Sequence, residues 1–294
     1  MSIHTDRIQA VPNFCSVKTL AAPAVLAGLY LLAVMPRMTG KPDFTPFDTK
    51  FFAHRGIHDN GSDAPENSMA AFRKAVEAGY GIELDIQLTA DHVPVIFHDF
   101  TLERACGAPG SVKDYTFEEL MKFRLFGSEE RIPALKDFLR MVKGRVPLIV
   151  EYKSEDRDMT VCRKADPMLK EYKGVYCIES FNPLVLYWYR KHRPEVMRGQ
   201  LSDGFMHDKK YQTLRKLPMV FPLQFLLANF LSKPDFIAYN CIYEGNLSRR
   251  LCRHLYRAKT AAWTIKSSDQ LKKAAPYFDV FIFDSFLPDL KEKK

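Results

Sequence analysis

The fold of this chain is decided between residues 51 and 99, which read FFAHRG at 51–56, PENSMAAFRKAVEAG at 65–79, GIELDI at 81–86 and PVIFHD at 94–99. Three of these stretches are short apolar runs of strand length. The stretch at 65–79 instead repeats its apolar residues at helical spacing. Because a strand, a helix and a further strand in this order form the unit from which parallel sheets are built, the region predicts an α/β fold.

The helix of this unit has its own start and stop signals. Asn67 or Ser68 can cap its first turn, and Gly79 is placed to end it. The apolar face that it would turn toward a sheet is formed by Met69, Phe72, Ala75 and Val76.

The same alternation continues to the end of the chain and predicts a (β/α)8 TIM barrel. The stretch 51–294 is about 240 residues long, close to the roughly 250 of such a barrel. One candidate strand, 94–98, is interpreted as an accessory strand beside its predecessor, which leaves eight for the barrel. A doubly wound sheet is the structural alternative. The nine candidates are 51–54, 81–86, 94–98, 147–152, 175–179, 196–200, 235–239, 259–264 and 279–284.

Carboxylates alternate with apolar residues in two of these strands. Glu83 and Asp85 lie two residues apart and therefore share one face of their strand. Glu151 and Lys153 share a face in the same way, and Glu151 could complete an oxygen cage for a divalent cation such as Ca²⁺, Mg²⁺ or Mn²⁺. The alternatives are an exposed edge strand with solvated acids and a surface ion pair.

Two histidines stand where apolar runs give way to loops. His54 and His98 are each followed by a charged residue, and imidazoles are suited to general acid and base chemistry. Arg55 offers a planar fork of donors for a phosphate. Its alternative role is a salt bridge to Asp99 or Glu66.

These motifs, in this order, resemble the glycerophosphodiester phosphodiesterase family over about residues 51–287. The resemblance implies a TIM barrel in which His54 and His98 are the acid/base pair and Glu83, Asp85 and Glu151 are the metal ligands. It also implies that Arg55, Lys153 and Trp263 contact the substrate and that Glu66 supports the site. The matching motifs are HRG at 54–56, PENS at 65–68, ELD at 83–85, HD at 98–99, IPAL at 132–135, EYK at 151–153, SF at 180–181 and WT at 263–264.

Three positions depart from the pattern of that family. Tyr152 stands where an aliphatic residue is common, Lys266 where asparagine is common, and Phe283-Asp284 where threonine-aspartate is usual. None of the three is a position that the family uses for catalysis, so they bear on substrate fit.

The segment 203–234 is more apolar than a connecting loop. It reads LPMVFPL at 217–223 and FLLANFL at 225–231. One interpretation is a barrel helix with an extended entry. The other is a hydrophobic lid or a membrane-contacting element beside the site.

The N-terminal region predicts a membrane anchor. Residues 19–36 carry no charge and are as long as the shortest membrane spans. They divide the chain into an N-terminal segment 1–18, a transmembrane anchor 19–36, a linker 37–50 and the catalytic domain 51–294. A cleaved signal peptide is the alternative, although no small-residue cleavage site follows. The flanking charges and the absence of CxxC pairs favour a cell-membrane protein with a cytoplasmic catalytic domain.

The formal net charge of +8 suits an anionic partner. No nucleic-acid motif is present, and attraction to anionic lipid headgroups explains the charge more simply. The sequence thus predicts metal-dependent hydrolysis of glycerophosphodiesters to glycerol 3-phosphate and an alcohol. The alternatives are a lipid-directed, lysophospholipase D-like phosphodiesterase and a non-catalytic, membrane-tethered binding protein.

Overall fold

The computed structural model describes residues 14–47, 51–155, 157–213 and 215–290. Its strands are β1 Phe51–His54, β2 Gly81–Leu88, β3 Pro94–Ile96, β4 Leu148–Tyr152, β5 Tyr176–Ser180, β6 Arg198–Ser202, β7 Phe236–Asn240, β8 Lys259–Ile265 and β9 Val280–Phe283. Its α-helices are α1 Phe14–Val34, α2 Met69–Ala78, α3 Glu103–Cys106, α4 Phe117–Leu120, α5 Leu135–Val142, α6 Thr160–Glu171, α7 Pro183–His192, α8 Leu217–Gln224, α9 Asn229–Ser232, α10 Leu247–His254 and α11 Ser268–Ala274.

Eight of the strands in the described part of the chain are parallel and close into a barrel. Strand β1 pairs with β2 on one side and with β9 on the other, so no edge is left between the first and last strands. Strand β3 runs antiparallel to the second half of β2. The predicted TIM barrel with one accessory strand is therefore confirmed, and the doubly wound alternative is wrong.

Alternate residues of each strand fill the inside of the barrel. The inner cluster contains Phe52, Ile149, Cys177, Phe236 and Ile282, and the outer cluster lies between the strands and the helices. Gly199 of β6 belongs to the inner side, where an added Cβ would lie 2.2 Å from the ring of Phe236. A glycine is needed here because the aromatic ring already fills that space.

Helix α2 has the predicted N-cap, C-terminal glycine and buried apolar face. The Ser68 hydroxyl accepts a hydrogen bond from the backbone N–H of Ala71, and Gly79 ends the helix in the left-handed region at φ 76°. Phe72, Ala75 and Val76 are buried as predicted.

Three strand predictions differ from the structure by two residues at one or both ends. Strand β3 ends at Ile96 and not at residue 98. Strand β2 extends to Leu88, so Glu83 and Asp85 lie inside the strand and not at its end, because β3 pairs with its second half. Strand β6 begins at Arg198, two residues later than predicted. The buried Arg198 side chain reaches the Ser232 carbonyl at 3.1 Å, which the apolar pattern alone does not reveal.

The segment 203–234 contains a helix after an extended entry, although the helix is short. Its role as a lid stays a prediction. Two short turns of 3-10 helix are followed by α8 and then by α9, which has four residues. Pro222 lies within α8. Because proline lacks the N–H that a longer helix would need, it limits the helix to about two turns.

Helix α1 overlaps the predicted anchor 19–36 but ends at Val34. Within the described residues, no helix is both long enough and apolar enough to cross a membrane, so the transmembrane prediction is not supported. The last turns of α1 contact the barrel helices, where Tyr30 shares a hydrogen bond of 2.7 Å with Ser248 and the Val34 carbonyl accepts one from Asn229 at 2.9 Å. The membrane face of the catalytic domain stays a prediction.

The chain after α1 lies against the end of the barrel at which the strands begin. The backbone N–H of Arg37 donates to the Pro234 carbonyl at 2.9 Å, and Phe47 stacks on Phe52 of β1. Residues 48–50 of the predicted linker, and residues 1–13 of the predicted N-terminal segment, lie outside the described residues.

Candidate active site

Three buried carboxylates meet inside the barrel. Glu83 and Asp85 point inward from β2, and Glu151 points inward from β4, in direct register with Asp85. Each of the three contributes one oxygen to a group whose members lie within 4.8 Å of one another. All are at least nine-tenths buried, so the alternative of solvated acids on an exposed edge strand is wrong.

The charge of this triad is only partly balanced by the protein. Burial raises the pKa of Glu83, and the neighbouring charges of Asp85 and Glu151 raise it further. Burial likewise raises the pKa of Glu151, although Lys153 opposes the shift. Three carboxylates at this separation can all be ionised together only if another cation joins them.

Asp85 differs from the other two carboxylates. Burial acts to raise its pKa, but the charges of His98, Lys153 and Arg55 outweigh burial and hold the pKa below its usual range. Asn67 donates to its Oδ2 at 2.9 Å, whereas Oδ1 has no hydrogen-bond partner among the described residues. A buried, ionised oxygen without a hydrogen bond in an all-oxygen cluster fits a hard divalent cation.

His54 lies at the end of β1, beside a carboxylate from the last strand. Its Nδ1 is 3.7 Å from Oδ2 of Asp284, and His58 Nε2 is 3.6 Å from Oδ1 of the same residue. Burial, reinforced by the positive charge of Arg55, lowers the pKa of His54 to about 4. His54 is therefore neutral at pH 7.

His98 begins a chain of ion pairs on the other side of the triad. Its Nδ1 lies 2.6 Å from Oδ1 of Asp99, and Arg104 donates to Oδ2 of Asp99 at 2.5 Å. Arg104 also donates to Glu66 at 2.6 Å, and Glu66 accepts from Arg55 at 2.7 Å. The alternative salt bridge of Arg55 to Glu66 is thus present, while Asp99 is bound to Arg104.

Glu66 is the central carboxylate of this chain. Burial acts to raise its pKa, but hydrogen bonds from Arg104 and the charge of Arg55 lower it to about 2. Glu66 is therefore ionised and holds both guanidinium groups in place. Arg55 also places its Nε 3.4 Å from Oδ2 of Asp85, which links the chain to the triad.

Lys153 lies within the triad and not on the surface. Its Nζ donates to Oε1 of Glu151 at 2.9 Å and lies 3.5 Å from Oδ1 of Asp85, and its side chain is 9 % exposed. These two carboxylates raise the pKa of Lys153 despite burial, so the ammonium stays charged. The alternative of a weak surface ion pair is wrong.

Trp263 lies on the opposite wall, in β8. The rings of Trp263 and Phe181 are T-shaped, with their centroids 5.6 Å apart. The buried Nε1–H of Trp263 has no acceptor among the described residues. A buried N–H donor of this kind usually finds a partner, and a substrate oxygen would provide one.

The structure also brings in residues that the sequence analysis gave no role. Asn67 appeared only as a helix cap, and Asp284 only as a departure from a motif. Glu179 was missed, although it is an acid in an apolar strand and β5 pairs it with Glu151. The alternation rule applied to β5 could have found it. Asp99 and Arg104 have no pattern of this kind because they lie in loop and short helix.

The three departures from the family pattern differ in their distance from the reacting groups, and Asp284 of the third lies beside His54. Tyr152 points outward and hydrogen-bonds Tyr189 of α7 in the outer layer. Phe283 is buried beside Tyr80, with ring centres 4.8 Å apart. Lys266 lines a cavity of about 810 Å³ that opens beside His54 and Asp284. Phe283 and Asp284 line the same cavity.

Comparisons with known proteins identify the family of this chain. The model of the glycerophosphoryl diester phosphodiesterase family matches residues 54–278. The chain is 41% identical over 185 residues to a glycerophosphodiester phosphodiesterase of Caldanaerobacter subterraneus, covering 57% of this chain and 72% of that protein. It is 27% identical over 268 residues to human glycerophosphodiester phosphodiesterase 1, covering 81% and 76%.

A solved structure shares the fold. A phosphodiesterase from Oleispira antarctica, in complex with the product sn-glycerol-3-phosphate, matches with a TM-score of 0.62 and 22% identity, covering 80% of this chain and 92% of that one. The predicted enzyme class is confirmed, and the alternative of a non-catalytic binding protein is not. The chain belongs to the glycerophosphodiester phosphodiesterase family.

Proposed function

We propose that this enzyme hydrolyses glycerophosphodiesters to glycerol 3-phosphate and an alcohol with the help of a divalent cation and a pair of histidines. The observation that carries the proposal is the buried carboxylate triad flanked by His54 and His98. The Oleispira structure, which shares the fold and was solved with sn-glycerol-3-phosphate, supports the same product.

Glu83, Asp85 and Glu151 would hold the cation, and an all-carboxylate set suits Ca²⁺, Mg²⁺ or Mn²⁺. When bound, such a cation polarises phosphoryl oxygens and lowers the pKa of a nearby hydroxyl. Lys153 and Arg55 bring two positive charges to the same region, where they would orient the phosphate of the diester.

His54 is the proposed general base. Its pKa of about 4 keeps the imidazole neutral at pH 7, which is the form that can accept a proton. The proton would come from the glycerol 2-hydroxyl as it attacks phosphorus, which gives a cyclic phosphate that water then opens.

His98 is the proposed general acid. Its Nδ1 lies 2.6 Å from Oδ1 of Asp99, and this contact orients the ring. A protonated imidazole can give its proton to the alkoxide that leaves phosphorus.

The test measures glycerol 3-phosphate released from glycerophosphocholine by the full chain with Ca²⁺, Mg²⁺ or Mn²⁺, and with EDTA. We expect metal-dependent release, and we expect His54→Ala and His98→Ala each to lower kcat by roughly 100-fold or more. His254→Ala, at an exposed position of α10, is the matched control. Near-normal turnover in either site variant would contradict the assignment of the two histidines.

A further inference from the structure

Arg104 lies beside the active site and takes no part in the mechanism proposed above. It belongs to α3, the helix of four residues that follows β3. Its neighbours Leu102 and Ala105 are buried in a separate apolar cluster, whereas the Arg104 side chain is 45% exposed. The apolar residues therefore anchor this segment, and the guanidinium group of Arg104 is directed to polar partners.

The guanidinium group of Arg104 binds two carboxylates at once. Its Nε and Nη2 donate to the two oxygens of Asp99 at 2.5 and 3.1 Å. Its Nη1 and Nη2 donate to the two oxygens of Glu66 at 3.0 and 2.6 Å. Two bidentate pairs on one side chain need the planar fork of arginine, because the ammonium group of a lysine is a single compact charge.

The two carboxylates that Arg104 binds serve different parts of the site. Asp99 contacts Nδ1 of His98 at 2.6 Å, and Glu66 accepts a hydrogen bond from Arg55 at 2.7 Å. Within the described residues, Arg104 supplies two of the four hydrogen bonds that the Glu66 carboxylate accepts. Loss of this one guanidinium group would therefore loosen the supports of His98 and of Arg55 together.

We propose that Arg104 is a positioning residue that fixes His98 and Arg55 relative to each other, so that the proton donor is aligned while the phosphate is held. The proposal rests on the function proposed above, in which His98 gives a proton to the leaving oxygen as its bond to phosphorus breaks. Arg104 does not line the cavity beside His54 and acts through Asp99 and Glu66.

The test uses two substrates that differ only in their leaving group. The alkoxide that leaves glycerophosphocholine needs a proton, whereas the p-nitrophenyl ester of glycerol 3-phosphate releases a stable phenolate that needs none. Release of choline or of nitrophenol is followed in a single turnover, with the full chain in excess over substrate and a divalent cation present. A single turnover reports the first displacement at phosphorus, separately from the opening of the cyclic phosphate.

Arg104→Met keeps most of the apolar stem and removes the fork. We expect it to slow choline release by about tenfold or more and nitrophenol release by less than about threefold, because only the first reaction needs an aligned acid. The enzyme concentration at half-maximal rate should rise by a similar factor for both substrates, since both present the same phosphate to Arg55. Arg104→Lys should show the same pattern at smaller size, and it decides the test if Arg104→Met does not fold.

Arg124→Met is the matched control. Arg124 is 47% exposed and pairs with Glu129 in the same connection between β3 and α5. Its loss should leave both rates unchanged. His98→Ala is the reference, since removal of the acid itself should slow choline release far more than nitrophenol release.

The proposal for Arg104 fails if its variants slow both reactions equally or slow neither, and the proposed function stands if His98→Ala still shows the dependence on leaving group. If His98→Ala slows both reactions equally, His98 is not the acid and the proposal falls with that assignment. If the folded unmodified chain releases neither product, the proposed function fails. Calorimetry with sn-glycerol 3-phosphate then decides the contribution of Arg104 to phosphate binding. Weaker binding by Arg104→Met than by Arg124→Met supports it, and equal or absent binding overturns it.

Discussion

At the scale of single residues, the two histidines of the site have different neighbours. His54 is buried next to Arg55, and both effects disfavour a second proton on its ring. His98 contacts a carboxylate that Arg104 holds in place. The proposed roles of His54 as base and His98 as acid, which the sequence alone left open, follow from these different surroundings.

The first prediction concerns pH. Because the pKa of His54 lies at about 4, below the ordinary histidine value, the ring stays neutral as the pH falls through 6. The acidic limb of kcat/KM, measured at saturating metal, should therefore lie well below pH 6.5. Asp284→Asn removes a negative charge that favours the protonated ring, so it should move this limb to still lower pH. A limb at pH 6.5 in the unmodified enzyme would contradict the role of His54.

The second prediction concerns Asp99 as a positioning residue. Asp99→Asn removes the carboxylate that orients His98 and should lower kcat by about tenfold to 100-fold, as loss of a partner of a catalytic histidine does. KM should change by less than kcat, because Asp99 contacts Arg104 and His98 and not the phosphate. Asp269→Asn, in the first turn of α11, is the control. An equal loss in kcat and in substrate affinity would indicate general damage to the site.

Residue patterns revealed the inner carboxylates but not the ion pairs around them. Glu83, Asp85 and Glu151 could be predicted because alternation in a strand assigns a side to each residue. Arg104 could not, since its partners Asp99 and Glu66 are brought to it by loops with no repeating pattern. Asp284 lies beside His54 only because β9 pairs with β1 and closes the barrel.

Among the secondary-structure elements, α2 could be predicted from local sequence signals because these signals agree with one another. Its cap, apolar face and terminal glycine all indicate one helix, and the structure has that helix. Segment 203–234 is the opposite case. Its apolar residues indicate a helix, while Pro218 and Pro222 shorten it to α8.

A third prediction tests the cap of α2. Ser68→Ala removes the acceptor for the Ala71 N–H and should lower the free energy of unfolding by about 1 kcal/mol. Ser68→Thr keeps a hydroxyl acceptor and should recover most of the loss. Urea denaturation followed by circular dichroism measures both. A loss of equal size in the two variants would indicate a packing effect at this buried position, with no contribution from the cap.

At the scale of the whole molecule, a cation held by the carboxylate triad, as proposed, would couple metal binding to stability. A ligand that binds only the folded state stabilises it by about 2.7 kcal/mol at 100 times its Kd. For a domain of this size, that corresponds to a rise in Tm of roughly 5–10 °C. The fourth prediction is that Ca²⁺ or Mg²⁺ raises Tm by this order relative to EDTA.

Asp85→Asn provides the control for this measurement. The amide removes one negative oxygen from the triad, so the rise in Tm should largely disappear. Asp137→Asn, at an exposed position of α5, should keep the full rise. A metal-induced rise that is equal in all three proteins would locate the cation elsewhere.

The closure of the barrel has a consequence for synthesis on the ribosome. His54 ends the first barrel strand, whereas Asp284, the carboxylate beside it, directly follows the last. Strand β9 also supplies one of the two neighbours that hold β1 in place. Nascent chains therefore cannot assemble this site until nearly the whole barrel has emerged. Chains that end before β9 should therefore lack hydrolytic activity.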